Sequence, residues 1–244
     1  MAPHIQAGVD DAVRLPAPAA SEARELGSTL GLSVTVADLL HRRGQRDPDA
    51  LRRYLEPKLS YLTPPDRMLD RDIAAERIAH AVKSHEKICV FGDYDCDGIT
   101  SCAILTDVLR TLGADVVPQL ASRFDGGYGV SPAAVARIRD SGARLLVTCD
   151  CGSSDHASLD ELRQAGVDVI VIDHHLVPDE PLPALAFLNP HRPECGFPYK
   201  GLASCGLALS VAAAVRAKLG VTLDLRQWLD LVAIGTIGDV PPLD

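Results

Sequence analysis

Aromatic side chains are scarce in this sequence, 4% of 244 residues with a single tryptophan. A chain of this length can bury a sizeable core, and that core must rest on Ala, Val, Leu and Ile, which favours an α/β architecture. No apolar run reaches the ~18 residues needed to span a bilayer. The N-terminus also lacks a basic stretch leading into an apolar segment of the kind that directs secretion. Both absences point to the cytoplasm. The seven cysteines are odd in number and include no C-x-x-C pair, so reduced thiols in apolar runs, as at Cys89 and Cys205, are the simplest reading. Basic residues are also short, 24 Lys and Arg against 33 Asp and Glu, for a net charge of -9. Binding through phosphate neutralisation alone asks for the opposite balance, whereas clustered aspartates that await divalent cations produce this one.

Residues 1–33 are rich in Ala, Pro and Gly around "RLPAPAA" and show little periodicity, so a mobile tail is expected there. From Val34 the pattern turns helical. "VADLLHRRG" ends on a glycine, and "DPDALRRYL" opens with Asp47 as a cap and Pro48 in the first turn. A helical segment over 34–72 is therefore expected, followed by one domain over 73–244. That domain alternates helices with the apolar strands "KICVF", "ADVVPQL", "RLLVTCD", "VDVIVID" and "ALAFLN". The alternation predicts a doubly wound, mainly parallel sheet flanked by helices.

Chemistry gathers at three strand ends. "VFGDYDCDGITS" runs a buried strand into Asp93, Asp95 and Asp97, then Gly98 and a helix. In open α/β sheets ligands bind at the carboxyl ends of the strands, and hard carboxylate oxygens suit Mg²⁺ or Mn²⁺. "RLLVTCDCG" ends on Asp150, which alone reads equally well as a helix cap. "VIVIDHHLVP" ends on Asp173, His174 and His175, where one imidazole can ligate metal while its neighbour holds a phosphate oxygen. Two histidines in a surface loop would show the same letters. Taken together, carboxylates and imidazoles at one sheet edge repel one another unless cations relieve them. Cys96, Cys149 and Cys151 beside these aspartates suggest a zinc thiolate site, but alternation along a strand turns neighbours of an inward aspartate the other way. His4, His41, His80, His85, His156 and His191 have no partner pattern and read as surface residues. No P-loop, dinucleotide fingerprint or Ser-His-Asp order is present.

The elements D-Y-D-x-D-G, C-D-C-G, D-H-H and G-D, in this order, resemble the four signature motifs of the DHH phosphoesterases. "RFDGGYG", "LNPHRPECGFPYKGLASCG" and the lead-in "LLHRRGQRDPDALRRYL" are similar to the RecJ-like branch of that superfamily, over about residues 34 to 244. The resemblance implies a two-metal exonuclease that hydrolyses single-stranded DNA from 5′ to 3′ in repair and recombination. Its cofactors would be two Mn²⁺ or Mg²⁺ ions, and its partners single-stranded DNA, a single-strand-binding protein and a helicase. Carried over residue by residue, it makes Asp95, Asp97, Asp150, His174 and Asp239 the ligands, with Asp150 bridging and Asp93 in or beside the set. Asp173 would orient His174, while His175 and Arg123 would contact substrate phosphate. Phe91 stands where many small relatives carry a histidine ligand. Longer members continue into a second α/β domain and a strand-gripping barrel, so downstream domains are expected to lie outside this sequence. Two other readings remain, a phosphodiesterase for short oligonucleotides or cyclic dinucleotides and a non-catalytic scaffold that binds replication proteins. Scaffolds of that kind usually lose motif aspartates, and none is lost here.

Overall fold

A computed structural model describes residues 17–124 and 126–243 of the chain, which divide into two compact units, one up to Leu62 and one from Thr63. The first unit holds three helices, α1 (Ser21–Leu30), α2 (Val34–Arg42) and α3 (Pro48–Leu55). Asp47 caps α3 by accepting from the Ala50 N–H at 2.9 Å, with Pro48 in the first turn as the sequence predicts. The mobile tail expected over residues 1–33 is corrected for α1. Ala23 and Leu26, three residues apart, are buried there, and Leu26 packs with Leu40 and Leu51. Residues 1–16 of that expectation lie outside the described residues.

The second unit begins ten residues before the boundary expected at 73. The reason is Met68, which is 4% exposed and belongs to the main core rather than to the preceding helices. Its elements run α4 (Arg71–Lys83), β1 (Ile88–Gly92), α5 (Cys96–Thr111), β2 (Val116–Leu120), α6 (Pro132–Asp140), β3 (Leu145–Cys149), α7 (His156–Gln164), β4 (Asp168–Ile172), β5 (Ala186–Leu188), α8 (Ser204–Leu219) and α9 (Leu229–Asp239). The five strands pair in parallel in the order β2-β1-β3-β4-β5. Both faces are covered, so β1 and β3 are buried at every position. Ile88, Val90, Leu145, Val147, Ile170 and Ile172 face one core with α4, α5 and α8; Cys89, Phe91, Leu146, Val169 and Val171 face the other with α6 and α7. Each such side chain contributes about 1.5–3 kcal/mol when fully buried. Among the described residues no helix is long and apolar enough to cross a membrane.

The strand order reverses between β1 and β3, which places the ligand crevice of such a sheet beyond their carboxyl ends. Asp93 and Asp150 are the residues that leave those strands. Gly98 makes the approach possible, because a Cβ there would lie 2.6–2.8 Å from the Asp93 backbone. Only glycine lets α5 start so close to the end of β1.

Candidate metal centre

Asp97, in the first turn of α5, is fully buried and reaches across to the N-terminus of α8. Its Oδ2 accepts from the Ser204 N–H at 2.6 Å and its Oδ1 from the Cys205 N–H at 2.9 Å. The residue before α8 is Ala203, which offers no side-chain cap. Asp97 therefore caps α8 from another helix, its charge facing the positive end of that helix. Ser204 also donates its hydroxyl to Asp150 Oδ1 at 3.1 Å. Two aspartates from different strand ends are thus registered on one helix start. Gly235 of α9 packs beside them, since a Cβ there would meet Thr100 Oγ1 at 2.4 Å and Asp97 Oδ1 at 3.1 Å. That close packing brings Asp239, the last residue of α9, to the same place.

Asp150 leaves β3 with a φ of 64°, a left-handed conformation that costs about 1–2 kcal/mol for a residue with a Cβ. The conformation is held by Asp150 N–H on Ile172 O at 2.9 Å and by the Tyr128 hydroxyl on Asp150 O at 3.1 Å. His174 Nε2 lies 3.2 Å from Asp150 Oδ1, 3.7 Å from Asp239 Oδ2 and 3.8 Å from Asp97 Oδ2. Two groups have ligand atoms all within 4.8 Å of one another, Asp150 with His174 and His175, and Asp97 with His174 and Asp239. His174 belongs to both. Asp150 Oδ2 and His174 Nε2 are buried without a hydrogen-bond partner, so the 3.2 Å approach of Nε2 to Asp150 lacks the direction of a hydrogen bond. Buried polar atoms left unpaired cost about 1–3 kcal/mol each. A divalent cation would satisfy both atoms, and this donor set of hard oxygens and imidazole suits Mn²⁺ or Mg²⁺.

Electrostatics agree. Burial pushes the Asp150 carboxyl up to about 7, Asp97 and Asp95 adding to the rise and His174 opposing it. Burial likewise raises Asp239 and Asp93. For His174 burial pulls downward, yet Asp150 and Asp239 hold the ring above its ordinary value. Divalent cations would offset this excess of carboxylate.

Asp173 does not orient the His174 ring as expected from the resemblance. Its Oδ1 accepts from the His174 backbone N–H at 2.8 Å, but the ring it holds is that of His175, at 2.8 Å from Nδ1. The two rings cross at 64° with centroids 4.8 Å apart, so adjacent histidines face different partners. Burial would raise Asp173, but His175 and the Ser153 N–H outweigh it and leave the carboxyl below its usual value. The bond to Asp173 lifts His175 to about 9. Tyr128, 3.2 Å from His175 Nδ1, completes this side.

The remaining expected residues line the approach. Asp95 is exposed and spends its Oδ1 on the Gly98 N–H at 2.9 Å, capping α5, and it is in neither ligand group. Asp93 is buried, its Oδ1 3.5 Å from the Gly129 N–H, and it too stands outside both groups. Arg123 stacks its guanidinium 4.6 Å from the Tyr94 ring centroid. Phe91 is fully buried in the second core and offers nothing to the site. Cys149 and Cys151 are buried with thiols raised well above their usual value by burial, and Cys96 lies near Ile234 O. No cysteine joins either ligand group among the described residues. Sequence reasoning missed Ser204, Ser153 and Tyr128. The first lies in a quoted family-like segment, but 54 and 107 residues separate it from its aspartate partners, so nothing local ties it to them.

Comparison with known proteins places this geometry. The chain is 40% identical over 219 residues to the single-stranded-DNA-specific exonuclease RecJ of Dickeya dadantii, covering 84% of this chain and 37% of that protein. It is 38% identical over 237 residues to the RecJ of Escherichia coli, covering 91% and 40% respectively. The crystal structure of RecJ in complex with Mn²⁺ from Thermus thermophilus superposes with a TM-score of 0.70 at 33% identity, over 91% of this chain and 31% of that one. The chain thus spans about two fifths of the length of these curated relatives. The DHH family, N-terminal domain, matches residues 87–236, from the lead into β1 to the interior of α9, and the chain belongs to that family.

Proposed function

We propose that this chain is the metal-binding catalytic part of an exonuclease that hydrolyses phosphodiester bonds in single-stranded DNA. The observation that carries the reading is the meeting of two ligand groups at His174, with buried Asp150 Oδ2 and His174 Nε2 unpaired. The similarity to exonucleases named for that substrate gives the reading its chemistry. In this reading Asp97, Asp150, His174 and Asp239 would hold divalent cations, Mn²⁺ or Mg²⁺, with Asp150 in one ligand group, Asp97 and Asp239 in the other, and His174 common to both. Asp95 keeps one oxygen for the pair, and Asp93 supports the loop that follows β2. Cations held there would lower the pKa of a water and offset charge on the phosphoryl oxygens.

The chain's own groups do the rest. His175, its Nδ1 held by Asp173, would present its other ring nitrogen to a phosphate oxygen. Arg123 supplies a second cation, with no carboxylate partner among the described residues. Ser204 keeps Asp150 Oδ1 occupied, which leaves Oδ2 for metal. Attack from the 5′ end, action in repair and recombination, and partnership with a single-strand-binding protein and a helicase follow from the resemblance. The test is cleavage of a 5′-phosphorylated single strand and of a blunt duplex of the same sequence, with Mn²⁺ and with chelator. Mn²⁺-dependent loss of the single strand alone supports the reading. Equal cleavage of both, or attack from the 3′ end, moves the chain to another branch of its family.

A further inference from the structure

We infer that Asn189 is a positioning residue for the proposed phosphodiester cleavage, holding the His175 carbonyl so that the His175 ring stays where the substrate phosphate would lie. This rests on the proposed function and adds to it a residue that touches neither substrate nor cation. The family-like segment that opens "LNPHRPECG" supplies no member of either ligand group among the described residues. Its first polar residue, Asn189, is nevertheless fully buried. Asn189 leaves β5 beside the end of β4, where the Asp173 N–H donates to Leu188 O at 3.0 Å. Its Nδ2 donates to His175 O at 2.8 Å, and its Oδ1 accepts from the His191 N–H at 2.8 Å. A carbonyl on one side and an N–H on the other fix which way the amide points.

The turn after β4 needs such a hold. His174 and His175 are consecutive, yet one ring reaches the ligand groups and the other reaches Asp173, with 64° between the ring planes. Asp173 Oδ1 accepts from the N–H of both residues, at 2.8 and 3.2 Å, and also lies 2.8 Å from the Nδ1 of the His175 ring. All three contacts end on one oxygen atom, so on their own they leave the turn free to pivot there. The Asn189 bond is made at the other end of the His175 peptide unit and comes from another strand. That strand is itself anchored, because the Phe187 N–H and the Arg192 guanidinium both donate to Asp70 Oδ2, at 3.1 and 2.6 Å. The His175 backbone is thus clamped between the ends of β4 and β5. Displacing a reacting group by about 1 Å can cost about 10²-fold in rate, and the His175 side chain, 45% exposed, has little packing of its own to prevent it.

The experiment is a double-mutant cycle on the Mn²⁺-loaded protein. It reads single-turnover cleavage of a saturating 5′-phosphorylated single strand, with Mn²⁺ affinity by calorimetry and the melting temperature alongside. Asn189→Ala and Asn189→Ser are each expected to lose about ten- to a hundredfold in rate at near-parent Mn²⁺ affinity. The serine variant keeps a small polar side chain and carries the test where the alanine variant fails to fold. In a His175→Ala background the same changes are expected to alter the rate by no more than about twofold, because the group they position is gone. The inference is overturned if the loss is as large in that background as in the parent, or if Mn²⁺ affinity falls in step with the rate. A lowered melting temperature with an unchanged rate also overturns it, since the amide then serves the fold alone. A parent protein that takes up Mn²⁺ and leaves the strand uncut overturns the proposed function, whereas a parent that cuts, with additive losses in the cycle, overturns only the role of Asn189.

Discussion

At the scale of single residues, Asp150, Ser204 and His175 are neighbours with separable duties. Asp150→Asn removes the carboxylate charge from the group it forms with His174 and is expected to weaken Mn²⁺ binding together with cleavage. Replacing His175, whose Nδ1 is taken by Asp173, is different: His175→Ala should keep near-normal Mn²⁺ affinity and lose about 10²–10³ in single-turnover rate. Ser204→Ala deletes one hydrogen bond to Asp150, worth about 1 kcal/mol, so Mn²⁺ affinity by calorimetry should fall about fivefold, with Ser204→Thr restoring it. His175→Ala abolishing metal binding while Asp150→Asn leaves it intact would reverse the roles assigned. A pH series reads the same residues. Asp150 is held at about 7 in the folded protein against roughly 3.9 in an unfolded chain. Between those values the folded state binds more protons, so metal-free stability falls as pH rises through that window. His175, held at about 9 against an unfolded value near 6.5, continues the fall above it. Mn²⁺ requires Asp150 ionised, so the rise in melting temperature on adding Mn²⁺ should grow from pH 5.5 to 7.5. A constant shift across that range would show that Asp150 does not compete with protons for the ion.

At the scale of elements, the start of α8 carries two burdens at once, helix capping and carboxylate placement. Asp97→Asn turns an amide toward the Ser204 and Cys205 N–H groups, leaving a buried donor unpaired at about 1–3 kcal/mol. The metal-free melting temperature should therefore drop by several degrees, while Asp239→Asn, on the half-buried end of α9, should change it little and affect only metal uptake. Equal drops would remove the capping role. The sequence made the elements themselves legible, because β1, β3 and β4 are apolar runs buried on both faces and the aspartates stand at their carboxyl ends. It hid α1 behind a Pro- and Ala-rich stretch, and it could not tell that Asp173 turns to the His175 ring rather than to that of His174. Both rings follow Asp173 within two residues, and only the backbone direction after β4 separates them. The role of Ser204 was hidden for another reason: its segment was recognisable, but nothing in it ties one serine hydroxyl to an aspartate 54 residues away.

At the scale of the whole molecule, the net charge of -9 makes divalent ions a condition of binding a polyanion. Single-strand binding should vanish with chelator, and in Mn²⁺ its logarithm should fall with log salt by about 0.7 per phosphate neutralised, a shallow slope of one or two phosphates. A slope several times steeper would reveal a basic groove that the described residues do not supply. One feature of the centre also bears on which ions fill it. His174 Nε2 stands 3.2 Å from Asp150, 3.7 Å from Asp239 and 3.8 Å from Asp97, but an imidazole nitrogen has one lone pair to give. Two cations held at these groups would therefore not be chemical twins. In the proposed reading, a cation that took the His174 nitrogen would be favoured to be Mn²⁺, while a neighbour held by carboxylates would accept Mg²⁺ readily. The protein would then sense the ratio of the two metals rather than the abundance of either.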